Sequence, residues 1–490
     1  MRMSATQVAG WAGGTVVVSG GGADPVASSL VWDSRLAGPG CMYVAFPGER
    51  VDGHRFVASA IEAGAVIALV SRDVDENARA AALARGAAIV EVADTMAAMV
   101  SLARAWRRMI GARVIGLTGS VGKTTTKNLV RDVLSARFRT VATEKNQNNE
   151  LGVPNTVLRA DLDTEAVVVE MGMRGLGQIE ELCSFVEPDW GIVTNVGDCH
   201  VELLGSRENI ARAKSELPAA LPDGRGMAFL NAGDEYFGFV RDCAGLARRG
   251  VACVRCDGTP GAASRGWEAD DGEPAVWATD IELNGLSQPR FTLHVRGLGG
   301  VALDARPCAL ALRGVHNVSN AVQAAAVGIA MGMTLDEVCD ALAGALPEAG
   351  RQEVLVARRG FTVVNDAYNA NPDSMRASLA MFSAMDVEGR RIAVLGDMGE
   401  LGSFEEEGHR IVGETAASCP LDLLVCVGPL SEGTADAAVR AGMPADRVKR
   451  VGNGSEALAL VSEIVNEADA VLVKASHYMG LDGVAEGLVK

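Results

Sequence analysis

A chain of 490 residues with formal net charge −17, 48% hydrophobic and 22% charged, is too long for one hydrophobic core and too acidic to grip a polyphosphate backbone over a broad surface; this predicts about three globular units and excludes a nucleic-acid partner. Ten cysteines are too sparse for a disulfide framework and read as buried thiols of a reducing cytosol. The first residues, MRMSATQVAGWAGG, lack the apolar core of a signal peptide, and no apolar run reaches the roughly 18 residues of a membrane span, so the expectation is a cytoplasmic protein without membrane insertion.

Over the first ~95 residues, strand-like 42–46 (MYVAF), the turn PGERVDGH, a helical stretch over 56–63 and strand-like 65–70 (AVIALV) predict a small α/β unit. Met96, Met99, Val100, Ala103 and Trp106 recur at helical spacing and predict an amphipathic helix bridging to the next unit. That unit opens with RVIGLT, a glycine-rich turn and a helix over 123–136, with further strands at 166–170 (AVVVE) and 190–195 (WGIVTN). Beyond residue 251, VWATDIEL, RFTLHV and VALDA alternate apolar and polar side chains, the pattern of a half-exposed antiparallel addition, and an alanine-rich helix over 317–331 follows. Cys253 and Cys256 form one CxxC there. A zinc site needs about four ligands, with Cys243 and Cys308 as the remaining candidates, and ordinary thiols are the preferred reading. FTVVND, RIAVLGD, LDLLVCVG and AVLVKAS, with helical patterns between them, predict a parallel doubly wound sheet with right-handed crossovers.

The string GLTGSVGKTTTK runs over 116–127 between a predicted strand and a predicted helix, the context a phosphate-binding loop requires. Glycines let successive N–H groups turn inward toward phosphate oxygens, and the helix N-terminus adds partial positive charge. Thr118, Gly119, Ser120, Val121, Gly122, Lys123, Thr124 and Thr125 are therefore the candidate nucleotide-binding residues, with Lys123 on the β/γ-phosphates and the Thr124 hydroxyl on Mg²⁺. The spacing is a variant, since Leu117 stands where the generic pattern has glycine. No Asn-Lys-x-Asp string for guanine is present, so ATP is expected. Glu170 ends a strand beside the loop, where a carboxylate suits Mg²⁺; a solvated strand-end glutamate is the plain alternative. The expected fold class is α/β in three domains: a small N-terminal α/β domain (1–97), a central P-loop ATPase-like parallel sheet with an added antiparallel portion (98–332), and a C-terminal Rossmann-like doubly wound sheet (333–490).

Several strings in chain order, DSRLAGPGCMYVAFPGERVDGHRF, GLTGSVGKTTTK, NQNNELGVPNTVL, VVEMGMRGLGQIEEL, TNVGDCHVELLGS, HNVSNAVQAA, NDAYNANPDSM and VLGDMGELG, resemble those of the Mur ligases, which build the peptide of bacterial cell-wall precursors. NDAYNANPDSM and NNELGVPNT are similar to the branch that adds D-alanyl-D-alanine to a UDP-muramoyl-tripeptide. The resemblance implies an ATP-dependent carboxylate–amine ligase working through an acyl phosphate, small-molecule substrates and a monomer; the alternatives are another amide ligase of the superfamily or a non-catalytic nucleotide switch. It implies that the first domain, through Ser34 and Arg35, meets the uridine-diphosphate end, and that Asn148 and Asn149 meet the muramoyl-peptide end. It implies a second Mg²⁺ site at His200, against the plain reading of a structural histidine, and a carbamylated Lys214 holding Mg²⁺, against a solvated helical lysine. Asn317, with Asn320 beside it, is placed near the adenine, with helix capping as the alternative. Arg351 is placed on the γ-phosphate across a domain gap. Asp366 is placed on the ribose, with an Asx turn as the alternative, and Tyr368 and Asn369 beside the nucleotide. At the end, Ala475 and His477 depart from the family's glycine and arginine, so nothing is assigned there. A nucleotide site split between the last two domains predicts a hinge near 332–350 and a displaced last domain without ligand.

Overall fold

Buried runs of Val, Ile, Ala and Leu form the strands, as expected where helices cover both faces of a parallel sheet. In the computed structural model, which describes residues 1–48, 51–197, 201–267, 269 and 272–490, they build three large sheets. The first contains β1 (Thr15–Ser19), β2 (Ser29–Val31), β3 (Cys41–Val44), β4 (Ile67–Val70) and β5 (Ala88–Glu91), in the order β1-β5-β4-β3-β2. It is parallel except at β1, which pairs antiparallel with β5. Helix α1 (Thr95–Arg107) follows, started by Asp94, whose carboxylate accepts from the Met96 and Ala97 N–H groups, a cap worth about 1 kcal/mol. Its Met99, Leu102, Ala103 and Trp106 are buried in one apolar cluster that runs from Met42 and Leu69 to Val114 and Val167 of the second sheet. The expected bridging helix is thus a shared core between the first two units.

The second sheet contains β6 (Arg113–Thr118), β7 (Thr140–Ala142), β8 (Ala166–Glu170), β9 (Trp190–Val193), β10 (Met227–Asn231), β11 (Ala252–Asp257), β12 (Ala275–Leu283), β13 (Pro289–Leu298) and β14 (Val301–Ala309). Their order is β14-β13-β12-β11-β10-β9-β6-β8-β7. Helices α2 (Lys123–Ser135), α3 (Gln178–Val186), α4 (Arg207–Ala219) and α5 (His316–Ala330) pack on its faces. From β6 the chain goes to β7 and β8 on one side and then to β9 and beyond on the other. The strand order therefore reverses at β6, and its carboxyl end is where a ligand is expected. The antiparallel addition continues this same sheet: β12 pairs parallel with β11 and antiparallel with β13. On β11, Cys253 and Cys256 lie three residues apart and face opposite cores. They cannot converge on one metal ion, and burial pushes the Cys253 thiol up to about 12.

The third sheet contains β15 (Glu353–Val356), β16 (Thr362–Asn365), β17 (Arg391–Gly396), β18 (Leu423–Val427), β19 (Val448–Val451) and β20 (Ala470–Lys474), in the order β15-β16-β20-β17-β18-β19. All pairs are parallel except β15, an antiparallel edge strand on β16. Helix α6 (Pro372–Ser383) opens with a capping box between Asn371 and Ser374. The last unit contacts the second: the Asp386 N–H donates to the Gly285 carbonyl at 2.8 Å, Arg174 pairs with Glu400 at 3.4 Å, and Arg351 Nη2 donates to Thr124 Oγ1 at 3.2 Å. These polar bridges join the last unit to the second across the cleft. Among the described residues no helix is long and apolar enough to cross a membrane.

Candidate active site

The glycine-rich loop leaves β6 at the carboxyl edge and enters α2 at Lys123. Gly122 has φ +80, a left-handed conformation that glycine adopts without strain, and a Cβ there would lie 2.6 Å from Asn320 Oδ1. The loop is splinted from β9. Asn195 Oδ1 accepts from the Val121 N–H at 2.9 Å, while Thr194 Oγ1 and Asn195 Nδ2 both donate to the Val121 carbonyl, at 2.7 and 2.9 Å. Lys123 Nζ curls over the loop and donates to the carbonyls of Gly119 and Ser120 at 2.8 and 3.3 Å. The cation is thus held over the mouth of an anion cradle.

Glu170 is 1% exposed, so it is not a solvated strand end. Its Oε1 accepts from Asn148 Nδ2 at 2.8 Å and from Thr124 Oγ1 at 3.3 Å. Its Oε2 is buried with no hydrogen-bond partner. A buried carboxylate oxygen left unsatisfied is costly unless a cation completes it, so the donor set fits a hard divalent ion such as Mg²⁺. Behind it, Lys127 is equally buried and donates Nζ to the Thr143 carbonyl at 2.7 Å, while Thr143 Oγ1 accepts from the Glu170 N–H at 3.0 Å. Lys214, on α4, is 1% exposed and lines the same cleft, so it is not a solvated helical lysine. Among the described residues no three His, Cys, Asp or Glu side chains form a metal cage.

From the linker before β15, Arg351 crosses to Thr124, and its guanidinium lies 4.1 Å over the Tyr368 ring. Tyr368 in turn stands 5.5 Å from the His477 ring. Asp366 follows β16. Its Oδ1 accepts from the Gln352 N–H at 3.1 Å, and its Oδ2 accepts from Ser378 Oγ and from Lys474 Nζ, the latter at 2.8 Å. The Asx turn considered for Asp366 is made instead by Asn365, whose Oδ1 accepts from the Ala367 N–H at 3.2 Å. Asn317 does not cap α5. Its Nδ2 donates to the Arg313 carbonyl at 2.6 Å and to Gln352 Oε1 at 3.2 Å. Gln352 Nε2 contacts His316 Nε2 at 3.1 Å, and desolvation pushes His316 down to about 4.

A cleft of about 1360 Å³ joins these groups. Its lining includes Gly119, Ser120, Val121, Gly122, Lys123, Thr124 and Thr125 of the loop, with Asn148, Asn149, Glu170, Lys214, Asn317, Arg351, Asp366, Tyr368 and Asn369. Thr118 lies beneath the loop at 1% exposure. Ser34 and Arg35 are not in this lining; they occupy a turn of the first unit, where Arg35 pairs with Asp33 at 2.6 Å. His200 lies outside the described residues. Sequence reasoning missed Lys474, Ser378, Thr194 and Asn195. Only Lys474 left a trace, as a lysine ending the apolar run AVLVK.

Lys474 is 2% exposed and also donates to the Asn369 carbonyl at 2.9 Å. Lys474→Met should lower stability to chemical denaturation by about 3 kcal/mol, because it strands a buried carboxylate. An unchanged unfolding midpoint would contradict this pairing.

Three family models match the chain in order: "Mur ligase family, catalytic domain" over 27–107, "Mur ligase middle domain" over 117–328 and "Mur ligase, glutamate ligase domain" over 350–477. The UDP-N-acetylmuramoyl-tripeptide–D-alanyl-D-alanine ligase of Mycobacterium leprae is 38% identical to it, covering 95% of this chain and 93% of its own. The enzyme of the same name from Bacillus subtilis is 32% identical over 95% of this chain and 94% of its own. The crystal structure of MurF from Acinetobacter baumannii superposes with a TM-score of 0.81 at 28% identity, covering 100% of this chain and 99% of that one.

Proposed function

This chain belongs to the Mur ligase family, and on that premise we propose that it joins D-alanyl-D-alanine to UDP-N-acetylmuramoyl-tripeptide at the expense of ATP, giving the pentapeptide precursor of peptidoglycan, ADP and phosphate. The observation that carries the reading is the convergence of Lys123, Thr124, Glu170 and Arg351 at one end of a single cleft, in a chain similar along its length to ligases of that name. Another amide ligase of the superfamily and a nucleotide switch are not favoured by the same match.

A carboxylate does not react with an amine at neutral pH. Transfer of the γ-phosphoryl group to the tripeptide carboxylate makes an acyl phosphate; the dipeptide amine attacks its carbonyl carbon, and phosphate leaves. Little covalent work falls to the protein, so positioning and charge neutralisation dominate. The loop N–H groups and Lys123 hold the β- and γ-phosphates, and the Arg351 guanidinium, braced on Tyr368, meets the γ-phosphate from the other side. Asp366, fixed by Lys474 and Ser378, accepts from the ribose, with Tyr368 and Asn369 beside the nucleotide. Asn317 lies by the base. Asn148 and Asn149 take the muramoyl-peptide end, and Ser34 and Arg35 the uridine diphosphate. Thr124, Glu170, a carbamylated Lys214 and His200 would hold Mg²⁺, which would neutralise phosphate-oxygen charge. The domain division at 97 and 332, a monomeric state and a cytoplasmic location belong to the same proposal. Closure of the last domain keeps water from the acyl phosphate.

Tripeptide labelled with ¹⁸O in its terminal carboxylate tests the chemistry. One labelled oxygen should appear in the released phosphate. Unlabelled phosphate alongside a normal yield of amide would exclude the acyl phosphate route.

A further inference from the structure

Arg313 lies between β14 and α5 and lines the cleft. The polar groups around it are engaged. Asn320 Oδ1 accepts from Thr126 Oγ1 at 3.1 Å, Asn320 Nδ2 donates to Asn317 Oδ1 at 2.8 Å, and Asn317 Nδ2 bonds the Arg313 backbone and Gln352. The Arg313 guanidinium is different. Its Nε is buried with no hydrogen-bond partner, and among the described residues the side chain has no ion pair. Desolvation alone acts on it, lowering its pKa from the usual arginine value. Folded proteins pair nearly all buried donors, and a charged one left unpaired is costly. Inside a cleft, such a donor marks a place where a ligand brings the acceptor.

The wall of the cleft says which part of the ligand that is. Asn320 touches the phosphate loop at Gly122, Asn317 lies one helical turn back, and Arg313 lies beyond Asn317. With phosphates held at Lys123, the direction Gly122, Asn320, Asn317, Arg313 leads away from the phosphates and toward the nucleoside. Resting on the reading of this cleft as the ATP site, we propose that Arg313 is a nucleoside-binding residue whose guanidinium donates to an acceptor of the adenosine moiety, a ring nitrogen or a ribose oxygen. The planar donor fork of arginine suits such acceptors, and lysine does not reproduce it.

Titration calorimetry of the full chain with ADP, AMP and adenosine tests this, comparing the native protein with Arg313→Met and Arg313→Lys. A charged hydrogen bond sets the expected loss at about tenfold. Arg313→Met should weaken all three ligands by a similar factor, and Arg313→Lys should remain weakened for adenosine even though the charge is kept. The lysine variant, which retains a long aliphatic stem, carries the test if the methionine variant does not fold. Weakening confined to ADP would place the contact on a phosphate and overturn the proposal, as would unchanged affinity for all three. A native protein that binds no ADP would instead overturn the reading of the cleft itself.

Discussion

Lys123→Ala should reduce ATP-dependent ligation by about 10³-fold while leaving the fold in place. The side chain caps the glycine-rich loop through the carbonyls of Gly119 and Ser120, and in the proposed reaction its charge answers the charge that develops on the β/γ-phosphate oxygens. Its loss removes a cation from the transition state that no neighbour replaces. Lys127 lies one turn further along α2, with its ammonium engaged by the Thr143 carbonyl, and Lys214 lies on α4. The loop geometry itself depends on Asn195, Thr194 and the glycines, so thermal unfolding should shift by no more than a few degrees. Ligation near the native rate in the variant would remove the loop from the chemistry.

Lys214→Ala is expected to be nearly as damaging, with a loss of about 10²- to 10³-fold. The residue is buried on α4 and lines the cleft that holds Glu170, where the proposed function has it carry a carbamate that faces Mg²⁺. Carbamylation reverses the sign of its charge. The alanine variant should therefore recover part of its activity when a short carboxylic acid such as formate or acetate is added, because the acid refills the anionic position. Lys123→Ala under the same conditions separates this from a general salt effect, since that variant loses a cation and its recovery with the acid would point to the medium. Native mass spectrometry showing unmodified Lys214, together with full activity in the alanine variant, would sink the carbamate.

The phosphate loop was legible because its meaning is local: glycines, lysine and threonines are contiguous between a strand and a helix. Glu170 and Asp366 were legible as polar residues at the ends of apolar runs, where parallel sheets gather ligands. What sequence reading missed is set by long-range pairing. Lys474 and Asp366 meet across 108 positions, and Asn195 reaches Val121 across 74. Nothing in either local string announces the partner. The edge strand β15 was hidden by its setting, since EVLV follows a charged linker and is half-exposed along most of its length. The continuity of the antiparallel meander with the parallel sheet was likewise invisible, because alternation reports which faces are wet and not which strand lies alongside. The CxxC pair agrees with its preferred reading as ordinary thiols: strand geometry puts the two in separate cores.

The most direct measurement is phosphate release from ATP by the purified chain, with UDP-N-acetylmuramoyl-tripeptide present and D-alanyl-D-alanine either added or withheld. Sustained release that requires both substrates, matched mole for mole by UDP-muramoyl-pentapeptide, is the predicted result. Steady ATP hydrolysis indifferent to the dipeptide, or dipeptide-dependent turnover with a different acceptor and none with the tripeptide, would contradict it.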